Sequence, residues 1–197
     1  MAVGYYPGCA LKAHATSLEY GVSTEAMLKA LGVEFREVPD WNCCGASAGH
    51  MTNSALTRAL NVRNLALAEA AGLNEVLAPC PLCAKELALA NHEVKEDKKL
   101  LEEACDAAEM TYNCGVRTMT LVEFLYDRRD LVAERAGGKL PDIPVACYYG
   151  CLHTRPPEVF GFDDTEQPTT MDHLCRTMGL APVEWTHKTE CCGAGFT

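Results

Sequence analysis

Apolar positions along this chain follow two alternating rhythms. Short alternating or clustered runs of a few residues are each followed by a longer stretch with apolar residues three and four apart, the pattern of strands leading into helices. Val3–Tyr6 reads as a short strand that ends in Pro7-Gly8-Cys9. Leu18, Val22, Met27, Leu28 and Leu31 have helical spacing over about Ser17–Leu31, and Gly32 is placed as a C-cap. Val33–Val38 alternates as a strand does, and the loop Pro39-Asp40-Trp41-Asn42 carries the chain into Cys43-Cys44-Gly45. Asn53–Ala71 is strongly amphipathic and closes at Gly72, a second helix with a glycine stop. Glu75–Ala78 is strand-like, and Pro79-Cys80-Pro81 turns it into a further helix. Helical stretches are predicted over about Leu82–Ala107 and Thr118–Ala136, followed by a linker of Gly137-Gly138 and Pro141 to Pro144. The pattern predicts an α/β protein with short parallel strands and flanking helices. Right-handed crossovers then put Cys9 and Cys43-Cys44 beyond the same, carboxyl ends of the strands, where such sheets bind ligands.

After the linker the order begins again. Val145–Tyr149 is strand-like and runs into Gly150-Cys151, as the first strand runs into Gly8-Cys9. Thr170 to Gly179 stands where Glu25 to Gly32 stands in the first copy, Pro182–Trp185 is the matching strand, and Glu190 leads into Cys191-Cys192-Gly193. Cys9 to Cys151 is a shift of 142 positions and Cys43 to Cys191 one of 148, a difference the size of an ordinary loop insertion, for which the run Asp163–Gln167 is the candidate. This is an internal repeat. It predicts two pseudo-symmetric lobes, residues 1–140 and 141–197, with the second expected to be truncated because its copy stops after Cys-Cys-Gly.

Charge and composition narrow the function. Asp and Glu outnumber Lys and Arg 27 to 17, and the basic residues are scattered, which argues against nucleic acid. No run of about 18 apolar residues is present, so no membrane span is expected. The N-terminus lacks a basic region followed by an apolar one, so a cytoplasmic location is expected. In a reducing compartment 12 cysteines read as metal ligands rather than structural disulfides.

The thiols are patterned. Cys9, Cys43, Cys44, Cys80 and Cys83 form one set, and Cys151, Cys191 and Cys192 repeat its first three members. Five is odd, and adjacent cysteines suit a relaxed disulfide poorly. Adjacent thiolates do suit a centre with more than one metal, each holding or bridging a different ion. In Cys80-Pro81-Leu82-Cys83 the proline fits the first helical position, which makes Cys80 the N-cap and aims both sulfurs at one point near the helix N-terminus. Gly8, Gly45, Gly150 and Gly193 flank the cysteines and let the backbone turn close to a bulky group. Zinc is the alternative, on Cys9, Cys44, Cys80 and Cys83, although tetrahedral zinc sites usually use two Cys-x-x-Cys knuckles. Taken alone, the tetrapeptide also fits a thioredoxin-type redox motif. Of the remaining cysteines, Cys105 and Cys175 read as core, and Cys147 shares a face with Cys151 if its strand runs that far. His50 and His153 follow the motifs and could line a site.

The order Cys, Cys-Cys-Gly, Cys-x-x-Cys resembles the cysteine-rich CCG domain. The phrases PGCALKAHATSLEYGVSTEAMLKALGVEF, NCCGA, APCPLC, YYGCLHTRPPEVFGFDDTEQPTTMDHL and ECCGA are similar to the B subunit of heterodisulfide reductase. The resemblance implies two CCG domains, each holding a non-cubane 4Fe–4S cluster on five cysteines, with a small disulfide such as the coenzyme M–coenzyme B heterodisulfide cleaved reductively between them. It implies Cys9, Cys43, Cys44, Cys80 and Cys83 as one complete ligand set, and Cys151, Cys191 and Cys192 as part of a second. It also implies two partners, a ferredoxin-like C subunit and a flavin-containing A subunit. Two other functions fit the motifs: an electron-transfer component of a related oxidoreductase complex, such as a fumarate-reducing one, and a zinc-stabilised structural module.

Overall fold

In the computed structural model the described residues are 2–12, 15–46, 48–138, 140–161 and 163–193, the side chains of residues 48 and 50 excepted. They fall into two compact units, one up to Thr120 and one from Leu121 onward.

The first unit is built on a parallel four-stranded sheet in the order β2-β1-β3-β4, made of β1 (Val3–Tyr5), β2 (Phe35–Glu37), β3 (Glu75–Leu77) and β4 (Arg117–Met119). Val3 lies opposite Phe35, Gly4 opposite Val76 and Glu75 opposite Arg117. The connections are α1 (Leu18–Ala30), the short α2 (Ala48–Thr52), α3 (Ser54–Ala70), α4 (Pro81–Glu96) and α5 (Lys98–Ala108). Asn53 caps α3, its side-chain oxygen accepting from the Leu56 amide at 3.0 Å. The helix then turns Val62, Leu65 and Ala66 into a core shared with Val76, Ala84 and Leu87. Cys44 and Cys83 belong to that same core.

Two predicted helices are divided. The stretch 82–107 breaks at Asp97, which takes an extended conformation and caps α5 by accepting from the Lys99 amide at 2.8 Å. Aspartate offers the backbone a cap that competes with continuing the helix. The stretch 118–136 opens as β4, whose three residues are too few to show a period, and continues as α6 (Leu121–Asp127) and α7 (Arg129–Ala136). The last two lie in the second compact unit, although the linker at 137–144 predicts them in the first lobe.

In the second unit α8 (Thr170–Met178) packs on α6 and α7, and a two-stranded parallel sheet pairs β5 (Pro144–Val145) with β6 (Ala181–Pro182). Both strands are shorter than their apolar runs, although the Val183 amide still donates to the Val145 carbonyl at 2.9 Å. A buried polar network ties this unit together. Lys188 Nζ lies 3.0 Å from Asp172 Oδ1 and 3.1 Å from the Pro168 carbonyl, and the Tyr149 hydroxyl donates to Asp172 Oδ2 at 2.8 Å. The ion-paired side chains are only 4% and 2% exposed. Lys188→Met therefore strands a buried carboxylate and should destabilise this unit by about 3–5 kcal/mol. Urea denaturation of the variant measures this, and a loss below about 1 kcal/mol, the scale of an exposed pair, would contradict it.

Candidate metal centre

Three strand ends converge to make the site. The sheet order places β2 and β3 on opposite sides of β1, so the connections leaving β1 and β3 diverge at their carboxyl edge. The ladder extends past the strands, with the Tyr6 amide donating to Leu77 at 2.9 Å and the Val38 amide to Tyr5 at 3.0 Å. Beyond β1 the backbone reaches Gly8, at φ +65°, and Cys9 opens a single 3-10 turn, Cys9–Leu11. A Cβ on Gly8 would stand 2.7 Å from Cys83 Sγ, so only glycine lets this turn pass the sulfur. Beyond β2 the loop carries Cys43 and Cys44, and beyond β3 Cys80 takes the N-cap of α4 with Pro81 as its first residue, as the motif predicts.

The thiols meet in pairs at this one end of the sheet. Cys9 and Cys43 Sγ are 3.9 Å apart, and Cys44 and Cys83 Sγ are 3.3 Å apart. All twelve cysteines are free thiols. Cys44 and Cys83 are buried, Cys80 is half-buried, and Cys9 and Cys43 are exposed, giving the site a dry inner wall and an open outer side. The Cys83 thiol shares its proton with its neighbours. It is pushed up by Cys44 and Cys80 and by burial, while the same contacts hold Cys44 below the usual thiol range and bring Cys80 down to about 6. Burial is the main cause that raises Cys43, with Cys44 and Cys9 adding to it.

Several residues that no cysteine motif identifies hold the Cys43-Cys44 loop. The Tyr6 hydroxyl, fully buried, donates to the Asn42 carbonyl at 2.7 Å. Asn64 of α3 donates to the same carbonyl at 3.0 Å and accepts from the Asn42 amide at 2.9 Å. Asn61, one turn earlier, donates to the Cys44 carbonyl at 2.8 Å, and Trp41 packs edge-on against Tyr6 with ring centroids 5.3 Å apart. The signal of Asn61 and Asn64 in the sequence is a pair of asparagines three apart on the apolar face of a helix. Tyr6→Phe keeps the ring and removes one buried hydrogen bond, so it should lower stability by about 1 kcal/mol and speed alkylation of Cys43 in the metal-free protein. Unchanged stability and unchanged labelling would contradict this tether.

The second set repeats the arrangement on its own unit. Gly150, at φ 66° and ψ 178°, matches Gly8 at 65° and 176°, and each precedes a three-residue 3-10 turn. The Tyr148 hydroxyl donates to the Glu190 carbonyl at 2.5 Å, just before Cys191-Cys192, as Tyr6 does just before Cys43-Cys44. Trp185 lies by Tyr148 at 6.0 Å as Trp41 lies by Tyr6. Gly193 has positive φ, as Gly45 has. The Cys151 thiol is raised, by burial first and then by Cys191. Cys147 points its sulfur to 3.8 Å from that of Cys175 on α8, since β5 ends before the strand face could carry it toward Cys151. His153 is held by the Tyr149 carbonyl, 2.8 Å from its Nδ1, and burial lowers its pKa. The side chain of His50 lies outside the described residues.

The donor set is all thiol, a soft set that selects iron–sulfur clusters or zinc over oxygen-seeking ions. The Gly8 turn leaves no room for a side chain beside Cys83, a fit to a bulky thiolate-bound group. Among the described residues no three Cys, His, Asp or Glu side chains converge as a site for a single ion.

Residues 3–88 match the cysteine-rich CCG domain. Over 190 residues the chain is 30% identical to the 8-methylmenaquinol:fumarate reductase membrane anchor subunit of Wolinella succinogenes, spanning 96% of this chain and 66% of that protein. It is 30% identical over 182 residues to the B subunit of the ferredoxin:CoB-CoM heterodisulfide reductase of Methanosarcina mazei, spanning 88% and 59%. It is 26% identical over 201 residues to a protein of Archaeoglobus profundus described as like the heterodisulfide reductase B subunit, spanning 98% and 66%. The crystal structure of a hypothetical protein from Helicobacter pylori shares the fold, with a TM-score of 0.64 over 95% of this chain and 34% of that one at 14% identity. Residues 3–88 thus form a cysteine-rich CCG domain, in a chain similar to heterodisulfide reductase B subunits. The chain spans 59% to 66% of the length of the curated relatives it matches. Among the described residues no helix is long and apolar enough to cross a membrane.

Proposed function

We propose that this chain is the disulfide-cleaving component of a heterodisulfide reductase-type complex and holds an iron–sulfur cluster on Cys9, Cys43, Cys44, Cys80 and Cys83. The observation that carries this reading is the delivery of five free thiols, two of them adjacent, from three parallel strand ends to one edge of the sheet. A non-cubane 4Fe–4S cluster bound there supplies electrons one at a time, as such clusters do. The chain does the rest. Gly8 and Gly45 give the backbone its close turns, and Tyr6, Asn61 and Asn64 fix the paired cysteines. Cys44 and Cys83 line a wall closed to water, and the exposed Cys9 and Cys43 leave a side that a small disulfide can reach. Cys151, Cys191 and Cys192, with Gly150 and Gly193, form part of a second site of the same kind. The partners in this reading are a ferredoxin-like C subunit and a flavin-containing A subunit, in the cytoplasm.

The Wolinella relative favours a second reading, in which the chain passes electrons within a fumarate-reducing complex and cleaves no disulfide. One assay separates the two. With reduced viologen as donor, the anaerobically purified complex should release two thiols from each coenzyme M–coenzyme B heterodisulfide, and Cys9→Ser should stop the release. Viologen oxidation by fumarate without any thiol release would favour the second reading.

A further inference from the structure

We propose that Cys147 and Cys175 are a second, metal-independent redox site, a dithiol that exchanges with a low-molecular-weight disulfide and closes into an intramolecular disulfide. Their sulfurs lie 3.8 Å apart, one on the segment that leads to Cys151 and the other on α8, and neither belongs to the patterned thiol sets. Both are free.

Their supports are fixed on each side. Trp185 Nε1 donates to the Cys147 carbonyl at 2.9 Å, which pins that backbone. On α8, the Asp172 carboxylate is held by the Tyr149 hydroxyl at 2.8 Å and Lys188 at 3.0 Å, one turn before Cys175. The two sulfurs therefore face each other across a rigid joint, and bonding needs them to close to about 2.05 Å. The two cysteines are 28 positions apart, a span that includes the Gly150-Cys151 turn, so the bond would staple α8 to the segment that presents Cys151.

The accessibilities differ in a way that orders the exchange. Cys147 is 3% exposed, and burial with the neighbouring Cys175 and Asp172 pushes its thiol up to about 12, whereas Cys175 is only partly buried. Cys175, as thiolate, attacks one sulfur of the small disulfide, which breaks its S–S bond and releases the first thiol. Cys147 then attacks the Cys175 sulfur of the mixed disulfide and releases the second. One S–S bond is lost and one formed, the two cysteines are oxidised by two electrons, and their hydrogens leave on the two released thiols.

The test exposes the anaerobically purified protein to oxidised glutathione, quenches it with acid, alkylates the free thiols and maps the peptides by mass. The expected result is a peptide pair joining Cys147 to Cys175, with both residues protected together. In Cys147→Ser, Cys175 should be trapped as its glutathione adduct, because nothing displaces the second glutathione. In Cys175→Ser, Cys147 should remain unmodified. Independent alkylation of the two residues in the unsubstituted protein would overturn the proposal, as would a Cys175 that stops at the glutathione adduct with Cys147 intact. Because the linkage is read on the unsubstituted chain, misfolding of either variant leaves the outcome decisive. The readout needs no cluster and no turnover, so its failure is separate from failure of the proposed function.

Discussion

Cys83→Ser should leave the first thiol set unable to retain iron. Cys83 is 3% exposed, its sulfur is 3.3 Å from that of Cys44, and the Gly8 turn is shaped around it. A serine oxygen is a hard donor on a shorter bond, and it removes a soft ligand from the buried wall where no water or neighbouring side chain can replace it. Iron on this set should fall from about four per chain to background, with about 1–2 kcal/mol lost from packing in the metal-free protein. Cys80→Ser should act in the same direction. Iron and acid-labile sulfide analysis checks the first effect and denaturation the second. Full iron loading in Cys83→Ser would remove that residue from the ligand set.

The second large effect separates backbone strain from intrusion on the site. Gly8 and Gly32 both have positive φ, +65° and +70°, so alanine is strained at either position. Each substitution should lower stability by about 1 kcal/mol on that account. At Gly32 an added Cβ meets nothing within 4 Å, whereas at Gly8 it meets Cys83 Sγ at 2.7 Å. Gly8→Ala should therefore lose most of its iron while Gly32→Ala keeps it. Equal loading in the two variants would mean that the Gly8 turn does not serve the thiol site.

Much of this is legible in the residues. The helices around Leu18–Ala30 and Ser54–Ala70 are readable to within a residue or two because they carry their own stops. Gly32 and Gly72 adopt the positive φ that a glycine C-cap requires. The placing of the motif cysteines at the strand ends is readable from their spacing after short strand-like runs, and the Cys80-Pro81 N-cap follows from proline's fixed φ. The break at Asp97 is not legible, since an aspartate inside a helical rhythm is as often a solvated side chain as a cap. Nor is β4, whose identity comes from pairing with β3 rather than from local pattern. The tether of Tyr6 to Asn42 links positions 36 residues apart, and only the fold brings them together. Its trace in the sequence is faint: a tyrosine two residues before Gly8 and another two before Gly150.

Whether the five thiols on the first sheet hold one polynuclear iron–sulfur centre is decided most directly by metal content. Iron, acid-labile sulfide and zinc are quantified in protein purified under strict anoxia, with the second set disabled by Cys151→Ser. The expected result is about four irons and about four sulfides per chain, all lost on Cys83→Ser. One zinc per chain with neither iron nor labile sulfide would contradict the iron–sulfur assignment.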